Sequence, residues 1–251
     1  MSSSSKKVLA VVPARYGSTR FPGKMVAMLA GKPLVMHAYL RAKSASLVDE
    51  VLVATDDARI AEALAPYDIP VVMTRADHPS GSDRIAEVVE SVEADVIVNV
   101  QGDEVLIDPA TIDGVIQPLL DDPSIAMSTA RHALTDPKEI NDPNIVKVIC
   151  NARGHAIYFS RSPIPYVRDG VPAGMTGAVH WQHVGLYAYQ REFIQQYARM
   201  AQTPLEQLEC LEQLRVLENG YTIAVADTVY RSVGVDTPEE LEAARKLFEN
   251  A

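Results

Sequence analysis

Cysteine, tryptophan and long apolar runs are all scarce in this chain. Its 251 residues include two cysteines and one tryptophan. Cys150 and Cys210 lie far apart and form no CxxC pair, so we expect two buried, reduced thiols in apolar surroundings. The apolar segment between Lys7 and Arg15 is too short for a signal sequence or a membrane span, and no later segment comes near the required length. The sequence therefore predicts a cytoplasmic protein without membrane insertion.

Positive charge is also in short supply. The chain has 23 Lys and Arg residues against 33 Asp and Glu residues, which gives a formal net charge of −10. This balance argues against general binding to nucleic acid or to an anionic membrane. A polyphosphate ligand remains compatible with it, provided that the cationic residues are concentrated at one site.

The length and the apolar content suit a single substantial domain. Hydrophobic residues make up 47% of the chain, and we find no internal repeat, low-complexity tract or flexible linker. We therefore treat residues 1–251 as one domain, in which the region 125–200 forms an extension.

The first half alternates between short apolar runs and helical patterns. The predicted buried strands are Val8–Val12, Glu50–Ala54, Pro70–Met73 and Val96–Val100. The predicted helices are Pro33–Ser44, Ala58–Ala65, Asp83–Val92 and Pro109–Leu120. This alternation predicts an α/β fold with a doubly wound, mostly parallel sheet, whose ligands bind beyond the carboxyl ends of the strands.

The second half is less regular and predicts a smaller mixed α/β extension. Val146–Cys150 and His155–Ser160 flank a turn and indicate a hairpin or an insertion into a mixed sheet. The remaining predicted elements are strands at Ile125–Ala133, His183–Tyr189 and Tyr221–Tyr230, one long helix at Pro204–Glu218, and a final helix at Pro238–Phe248. Thr237 and Glu240 form a capping box at the start of that last helix.

The loop Pro13–Lys24 directly follows the first strand and is rich in cations. It contains Arg15, Arg20 and Lys24, and its glycines Gly17 and Gly23 allow the backbone to approach phosphate groups closely. The spacing is neither that of a Walker A loop nor that of a GxGxxG fingerprint. We therefore interpret this loop as the binding loop for a triphosphate.

Two aspartates are candidates for holding a magnesium ion. Asp103 follows the strand Val96–Val100, and Asp236 precedes the last helix. Magnesium favours hard oxygen ligands and usually takes only one or two protein carboxylates. Convergence of the two carboxylates would be repulsive without a cation between them.

The ordered set of motifs resembles the family of 3-deoxy-manno-octulosonate (Kdo) cytidylyltransferases, with CMP-sialic acid synthetases as more distant relatives. The resemblance begins with the loop Pro13–Lys24 and covers essentially the whole chain. The other segments that carry it are Thr74–Arg84, Asn99–Glu104, Tyr158–Arg161, His183–Tyr187, Leu211–Arg215 and Gly234–Glu239. It implies a Rossmann-like nucleotidyltransferase sheet.

The resemblance also implies roles for individual residues. It assigns nucleotide binding to Ala14, Arg15, Ser18, Arg20, Lys24, Arg75, Ser80, Arg84 and Gln101. It assigns binding of an acidic sugar to Arg161, His183, Tyr187, Glu212 and Gln213. It assigns Mg²⁺ to Asp103 and Asp236, which together with Arg15 and Lys24 form the implied catalytic set.

The implied reaction is transfer of CMP from CTP to Kdo, with release of pyrophosphate, for lipopolysaccharide assembly. The resemblance further implies a homodimer, for which the region 125–200 is our candidate interface. The alternatives are another acidic acceptor sugar, such as a sialic acid or an 8-amino analogue of Kdo, a glycosyltransferase, and a nucleotide-binding module without turnover. The sequence leaves open which group accepts the proton of the attacking hydroxyl, and whether one or two magnesium ions take part.

Overall fold

The computed structural model describes residues 6–231 and 234–249. In the first half the elements are β1 (Val8–Ala14), β2 (Met28–Leu29), β3 (Lys32–Pro33), α1 (Leu34–Lys43), β4 (Glu50–Thr55), α2 (Ala58–Leu64), β5 (Val71–Met73), α3 (Gly81–Ser91), β6 (Val96–Asn99) and α4 (Pro109–Asp121). In the second half they are β7 (Met127–Leu134), α5 (Pro137–Asn141), β8 (Lys147–Cys150), β9 (Ala156–Ser160), β10 (His180–Gln190), α6 (Arg191–Tyr197), α7 (Pro204–Glu209), α8 (Leu214–Glu218), β11 (Ile223–Asp227) and α9 (Pro238–Glu249). Short 3₁₀ helices occupy Lys24–Val26 and Ala65–Tyr67.

The main sheet has the strand order β5-β4-β1-β6-β10-β7-β11. Its parallel pairs are β4 with β5, β1 with β4, β1 with β6, and β7 with β11. Only β10 runs against its neighbours β6 and β7 in this order of described strands. The prediction of a mostly parallel sheet is therefore confirmed.

Both faces of the sheet are covered by helices. Along β1, Val8, Ala10 and Val12 pack into one apolar cluster, whereas Leu9 and Val11 pack into the other, as the two-residue period of a strand requires. The first cluster contains buried residues of α1, α4 and α9, and the second contains buried residues of α3, α6 and α8. This two-sided burial explains why β1 is apolar at every position, and it confirms the doubly wound prediction.

The extension is integrated into the same sheet. Strands β8 and β9 form the predicted antiparallel hairpin around the turn at Asn151–Gly154, and β8 also pairs with β10. A register shift between Val184 and Tyr187 separates two parts of the ladder between β10 and β7. The region 125–200 thus supplies a reversed strand to the sheet centre.

The predicted long helix at Pro204–Glu218 is wrong, because the chain breaks it into α7 and α8. Cys210 adopts a left-handed conformation with φ of 51°. The leucines from Leu205 to Leu217 recur every three residues. In a helix of 3.6 residues per turn each leucine would be rotated by about 60° from the one before, so a continuous helix could not bury them all on one face. Leu208 is accordingly 81% exposed, while Leu211 and Leu214 are buried after the break.

Two further expectations need correction. The predicted strand Tyr221–Tyr230 is limited to β11. Cys210 is exposed because it occupies the helix break, and Cys150 is only half-buried, so neither thiol is the fully buried group that we expected. The capping box of Thr237 and Glu240 is confirmed, since Glu240 N donates to Thr237 Oγ1 at 3.2 Å and Thr237 N donates to a Glu240 carboxylate oxygen at 3.0 Å. In the part of the chain that the structure describes, no helix is long and apolar enough to cross a bilayer.

A buried lysine ties the extension together. Lys147 is 0% exposed, and its Nζ donates to the carbonyl oxygens of Asp142, Ile145 and Arg161 at 2.9, 2.5 and 2.6 Å. Burial lowers the pKa of its ammonium group. The three carbonyls belong to the turn before β8 and to the end of β9, so this one side chain connects both strands of the hairpin.

We predict that Lys147→Met destabilises the protein, because three buried carbonyl oxygens lose their donor. The expected loss in the free energy of unfolding is on the order of 3 kcal/mol, measured by urea denaturation. Lys138→Met removes a charge from an exposed position and serves as the control. Equal stability of the two variants would contradict the structural role of Lys147.

Candidate functional site

Two adjoining cavities open at the edge of the sheet where β1 and β6 end. We call them the basic cleft and the tyrosine cavity. The basic cleft measures about 300 Å³ and is lined by Pro13, Ala14, Arg15, Ser18, Thr19, Arg20, Lys24, Met25, His78, Pro79, Ser80, Gly81, Arg84, Gln101, Asp103, Glu212 and Asp236. The tyrosine cavity measures about 340 Å³ and is lined by Gly81, Ser82, Asn99, Gln101, Met127, Gly185, Tyr187, Tyr189, Tyr197, Cys210, Leu211, Glu212 and Gln213.

The loop after β1 is turned back on itself around Tyr16. The carbonyl oxygen of Tyr16 accepts from the backbone N of Ser18 at 3.1 Å and of Gly23 at 3.0 Å. Gly23 has φ of 74°, and a Cβ there would lie 3.1 Å from the Tyr16 ring, so this position requires glycine. The guanidinium of Arg59 stacks 3.4 Å from the centroid of the same ring. These contacts hold the loop with its cations along the cleft.

The three cations of the loop have different surroundings. Lys24 is buried, with its Nζ 2.6 Å from Asp103 Oδ2 and 2.6 Å from Asp236 Oδ1. Arg20 Nη2 lies 2.5 Å from Asp236 Oδ2. Arg15 is exposed, and its side chain makes no ion pair with any other residue that the structure describes. Arg15 is therefore available for an anionic ligand, whereas Lys24 is held by two carboxylates.

Backbone contacts bring the two aspartates together from distant parts of the sequence. Asp103 O accepts from Val235 N at 3.1 Å, and Glu104 forms an antiparallel bridge with Gly234. Gly102 passes so close to β1 that a Cβ there would lie 3.0 Å from Pro13 O. The glycine before Asp103 is thus dictated by the packing of this loop against the end of β1.

The pKa values of this cluster reflect its opposite charges. Burial alone would lower the pKa of Lys24, but the carboxylates of Asp103 and Asp236 raise it above the usual value for lysine. Burial would raise the pKa of Asp236, but Lys24 and Arg20 hold it below the usual value for aspartate. Both groups are therefore charged at neutral pH.

The start of α3 forms another wall of the basic cleft. Ser80 is its N-cap and accepts from Asp83 N at 3.2 Å. Arg84 is buried, with Nη2 3.1 Å from Asp56 Oδ1. Arg75 does not line the cleft: its exposed side chain lies 3.2 Å from Asp77 and borders a neighbouring cavity.

The tyrosine cavity contains donors and acceptors among aromatic rings. Tyr187 Oη donates to Gln213 Oε1 at 3.4 Å, and the Nε2 of the buried Gln213 has no hydrogen-bond partner among residues 6–231 and 234–249. Tyr189 stacks with Tyr197 at 6.2 Å between ring centroids. An unpaired buried amide donor beside a cavity is costly unless a ligand completes it.

Two of the residues that the resemblance assigned to sugar binding do not line either cavity. The guanidinium of Arg161 donates hydrogen bonds to three backbone carbonyl oxygens: Nε to Glu209 O at 2.7 Å, Nη1 to Pro143 O at 2.9 Å and Nη2 to Cys210 O at 3.3 Å. Its guanidinium therefore binds the backbone at the break between α7 and α8, instead of projecting into the cavity as expected. His183 is buried behind the cavity, where Nε2 lies 2.9 Å from Thr129 Oγ1 and burial lowers its pKa to about 3.

The remaining predicted residues do line the site. The basic cleft contains the predicted residues Ala14, Arg15, Ser18, Arg20, Lys24, Ser80, Arg84, Gln101, Asp103 and Asp236. Tyr187 and Gln213 line the tyrosine cavity, and Glu212 lines both. Sequence reasoning missed His78, Asn99, Tyr189 and Tyr197 as lining residues. Tyr189 could have been found from the two-residue period that places it on the same face of β10 as Tyr187.

Known proteins resemble the chain over almost its full length. A family model described as cytidylyltransferase matches residues 9–223. The 3-deoxy-manno-octulosonate cytidylyltransferase of Solibacter usitatus (strain Ellin6076) is 50% identical over 243 residues, which cover 97% of this chain and 95% of that relative. The protein of the same name from Geobacter metallireducens is 52% identical over 242 residues, which cover 94% of this chain and 95% of that relative.

A solved structure resembles the fold equally well. The structure of CMP:2-keto-3-deoxy-manno-octonic acid synthetase complexed with CTP matches with a TM-score of 0.90 at 43% identity, covering 97% of this chain and 99% of that one. The fold, the basic cleft and these similarities together define a nucleotidyltransferase of the cytidylyltransferase class. Within that class, the chain belongs to the 3-deoxy-manno-octulosonate cytidylyltransferase family.

We predict that Lys24→Met lowers the free energy of unfolding by about 2 kcal/mol at pH 7, because Asp103 and Asp236 lose a charged donor. The lowered pKa of Asp236 makes its share of this contribution fully present above the ordinary aspartate value of about 4. That share is lost as the pH falls through the lower pKa of the folded state.

Urea denaturation between pH 7 and pH 3 measures the difference between the two proteins. It should be largest at neutral pH and shrink in acid, while Lys138→Met again serves as the control. A difference that grows on acidification would contradict the assigned charges.

Proposed function

We propose that this nucleotidyltransferase transfers CMP from CTP to the anomeric hydroxyl of Kdo in one direct in-line step and releases pyrophosphate. The main support is the meeting of Lys24 with Asp103 and Asp236 at the cation-rich end of β1. The neighbouring tyrosine cavity offers room for an acceptor beside the triphosphate. The product would serve lipopolysaccharide assembly from the cytoplasm.

The basic cleft suits the triphosphate. Arg15, Arg20 and Lys24 line it from one loop, and Arg84 lines the opposite wall. Cations placed where negative charge develops on the departing pyrophosphate lower the barrier. Holding both reactants in two adjoining cavities adds roughly 7–11 kcal/mol of barrier reduction through positioning.

Asp103 and Asp236 fit the requirements of a magnesium ion. Both are carboxylates that already share one cation, the Lys24 ammonium, at 2.6 Å. The described residues contain no cluster of three or more His, Cys, Asp or Glu side chains arranged for a metal. Magnesium usually takes only one or two protein carboxylates, so the pair of Asp103 and Asp236 would suffice to hold it. When bound, magnesium supplies positive charge that orients and polarises the phosphate oxygens.

The tyrosine cavity suits a polyhydroxylated acceptor. Tyr187, Tyr189 and Tyr197 offer hydroxyl groups, and Gln213 offers its unpaired amide donor. Arg161 acts on this site through the backbone, because it fixes the carbonyl oxygens of Glu209 and Cys210 immediately before Glu212.

Turnover tests this function directly. CTP, Mg²⁺ and Kdo mixed with the protein should give pyrophosphate and CMP-Kdo. A pyrophosphate-release assay and chromatography measure the two products. Asp103→Asn should lower kcat at least about 100-fold, because the charge that holds the cation is removed, and chelation of Mg²⁺ should stop turnover. Folding of the variant is checked by circular dichroism.

A panel of acidic sugars separates the alternatives. If a sialic acid or 8-amino-Kdo is converted faster than Kdo, that sugar is the acceptor in place of Kdo. Binding of CTP without turnover of any sugar, and without an effect of Asp103→Asn on any rate, would instead support a silent nucleotide-binding module.

We also propose a homodimer that uses the region 125–200. The segment after β9 exposes large apolar side chains: Tyr166 is 86% exposed, and Val171 and Met175 are each 55% exposed. A cluster of exposed apolar side chains on a protein surface is typical of a protein–protein interface.

The expected result is a dimer in sedimentation velocity and a shift towards monomer for Tyr166→Ser combined with Met175→Ser. Val229→Ser changes a residue that is 95% exposed outside this region and should leave the dimer intact. A monomeric parent protein would contradict the proposal.

A further inference from the structure

The basic cleft and the tyrosine cavity share three lining residues, Gly81, Gln101 and Glu212. If the triphosphate occupies one cavity and the acceptor sugar the other, the attacking hydroxyl and the α-phosphorus meet where these residues lie. The hydroxyl must lose its proton at this junction as the new O–P bond forms. The group that takes the proton should therefore belong to both linings.

Only one of the three shared residues has a side chain that can accept a proton at neutral pH. Gly81 has no side chain, and the amide of Gln101 cannot accept a proton at neutral pH. The amide nitrogen of Gln101 also donates to Asn99 Oδ1 at 3.2 Å. Glu212 is left, and its carboxylate can accept a proton.

The Glu212 carboxylate is not engaged elsewhere in the part of the chain that the structure describes. The hydrogen bonds at this residue use its backbone carbonyl, which accepts from Tyr197 Oη at 3.1 Å and from Arg215 N at 3.1 Å. Arg215, whose charge acts on this carboxylate, is instead paired with Glu206 through Nε at 2.8 Å. A carboxylate without a partner at the junction of two cavities is free to bind a substrate hydroxyl.

The surroundings of Glu212 also strengthen it as a base. Glu212 is exposed to solvent in the open cavities, and partial desolvation by the surrounding walls raises the pKa of its carboxyl; Arg215 opposes this change, and the negative charges of Asp83 and Glu206 add to it. On the side of the tyrosine cavity it is faced by the hydroxyls of Tyr187, Tyr189 and Tyr197, which remain neutral at physiological pH because burial raises their pKa values. On the other side it borders the basic cleft, whose charged and titratable lining residues are Arg15, Arg20, Lys24, His78, Arg84, Asp103 and Asp236. A carboxylate with a raised pKa is a more effective general base near neutral pH.

We propose that Glu212 is the general base of the reaction and takes the proton of the attacking sugar hydroxyl. As the hydroxyl oxygen bonds to the α-phosphorus, its proton moves to the Glu212 carboxylate and the bond between the α-phosphorus and the bridging oxygen breaks. The electron pair of that bond leaves with pyrophosphate, and Glu212 then returns the proton to solvent. This role rests on the proposed transfer from CTP to Kdo.

Glu212→Gln tests the role because it keeps the shape and polarity of the side chain but removes the base. We expect kcat to fall 100- to 10,000-fold, while the affinity for CTP, measured by calorimetry, and the melting temperature stay unchanged. The parent protein should lose activity as the pH falls through the pKa of Glu212, and this acid limb should disappear in the variant. Glu212→Asp should recover part of the rate and keep the acid limb. Glu192→Gln alters an exposed glutamate outside both cavities and is the matched control.

Two results would overturn the proposal. A raised KM for the sugar with unchanged kcat would make Glu212 a binding residue only, and a lower kcat with the acid limb retained would assign the base to another group. Failure of the parent protein to convert Kdo would contradict the proposed function itself, which separates the two hypotheses.

Discussion

The ion cluster of Lys24, Asp103 and Asp236 is the interaction on which the geometry of the site depends. It joins the loop after the first strand, the loop after β6 and the start of the last helix, at 2.6 Å from Nζ to each carboxylate. The three segments are far apart in sequence, and a backbone bond from Val235 to Asp103 supports the same meeting point. The ammonium relieves the repulsion between the carboxylates, so the basic cleft is assembled before any nucleotide binds.

The topology of the sheet explains why a second cavity lies beside the first. Parallel strands β1 and β6 direct their following loops to one edge, where the cations and Asp103 collect. The reversed strand β10 lies next to β6 and carries Tyr187 and Tyr189 alongside Asn99, the last residue of β6. The aromatic residues therefore continue the ligand-binding surface sideways along the sheet.

The sequence was informative wherever local pattern and burial agree. The apolar runs of the first half predicted β1, β4 and β6 because both faces of these strands are covered, and the loop Pro13–Lys24 was identified from its charges. The strand β5 was also predicted, but it is not as buried as expected, because it lies at the edge of the sheet and Met73 is 53% exposed. The three-residue spacing of the leucines around Cys210 argues against one long helix, but it does not give the residue at which the chain turns. Arg161 was assigned to the sugar because motif resemblance gives residue identity, but not the direction of a side chain. The convergence of Asp103 and Asp236 on Lys24 depends on long-range backbone pairing that no local pattern contains.

The break between α7 and α8 has a structural consequence of its own. A continuous helix would use the carbonyl oxygens of Glu209 and Cys210 within its own ladder, whereas the left-handed turn releases them to Arg161. The segment that presents Glu212 and Gln213 is thus anchored to the β8–β9 hairpin, and not to the strands that carry the cations. Substitution of Gln213, which lines only the tyrosine cavity, can therefore reshape that pocket while the basic cleft keeps its form, whereas a change at Glu212 alters both.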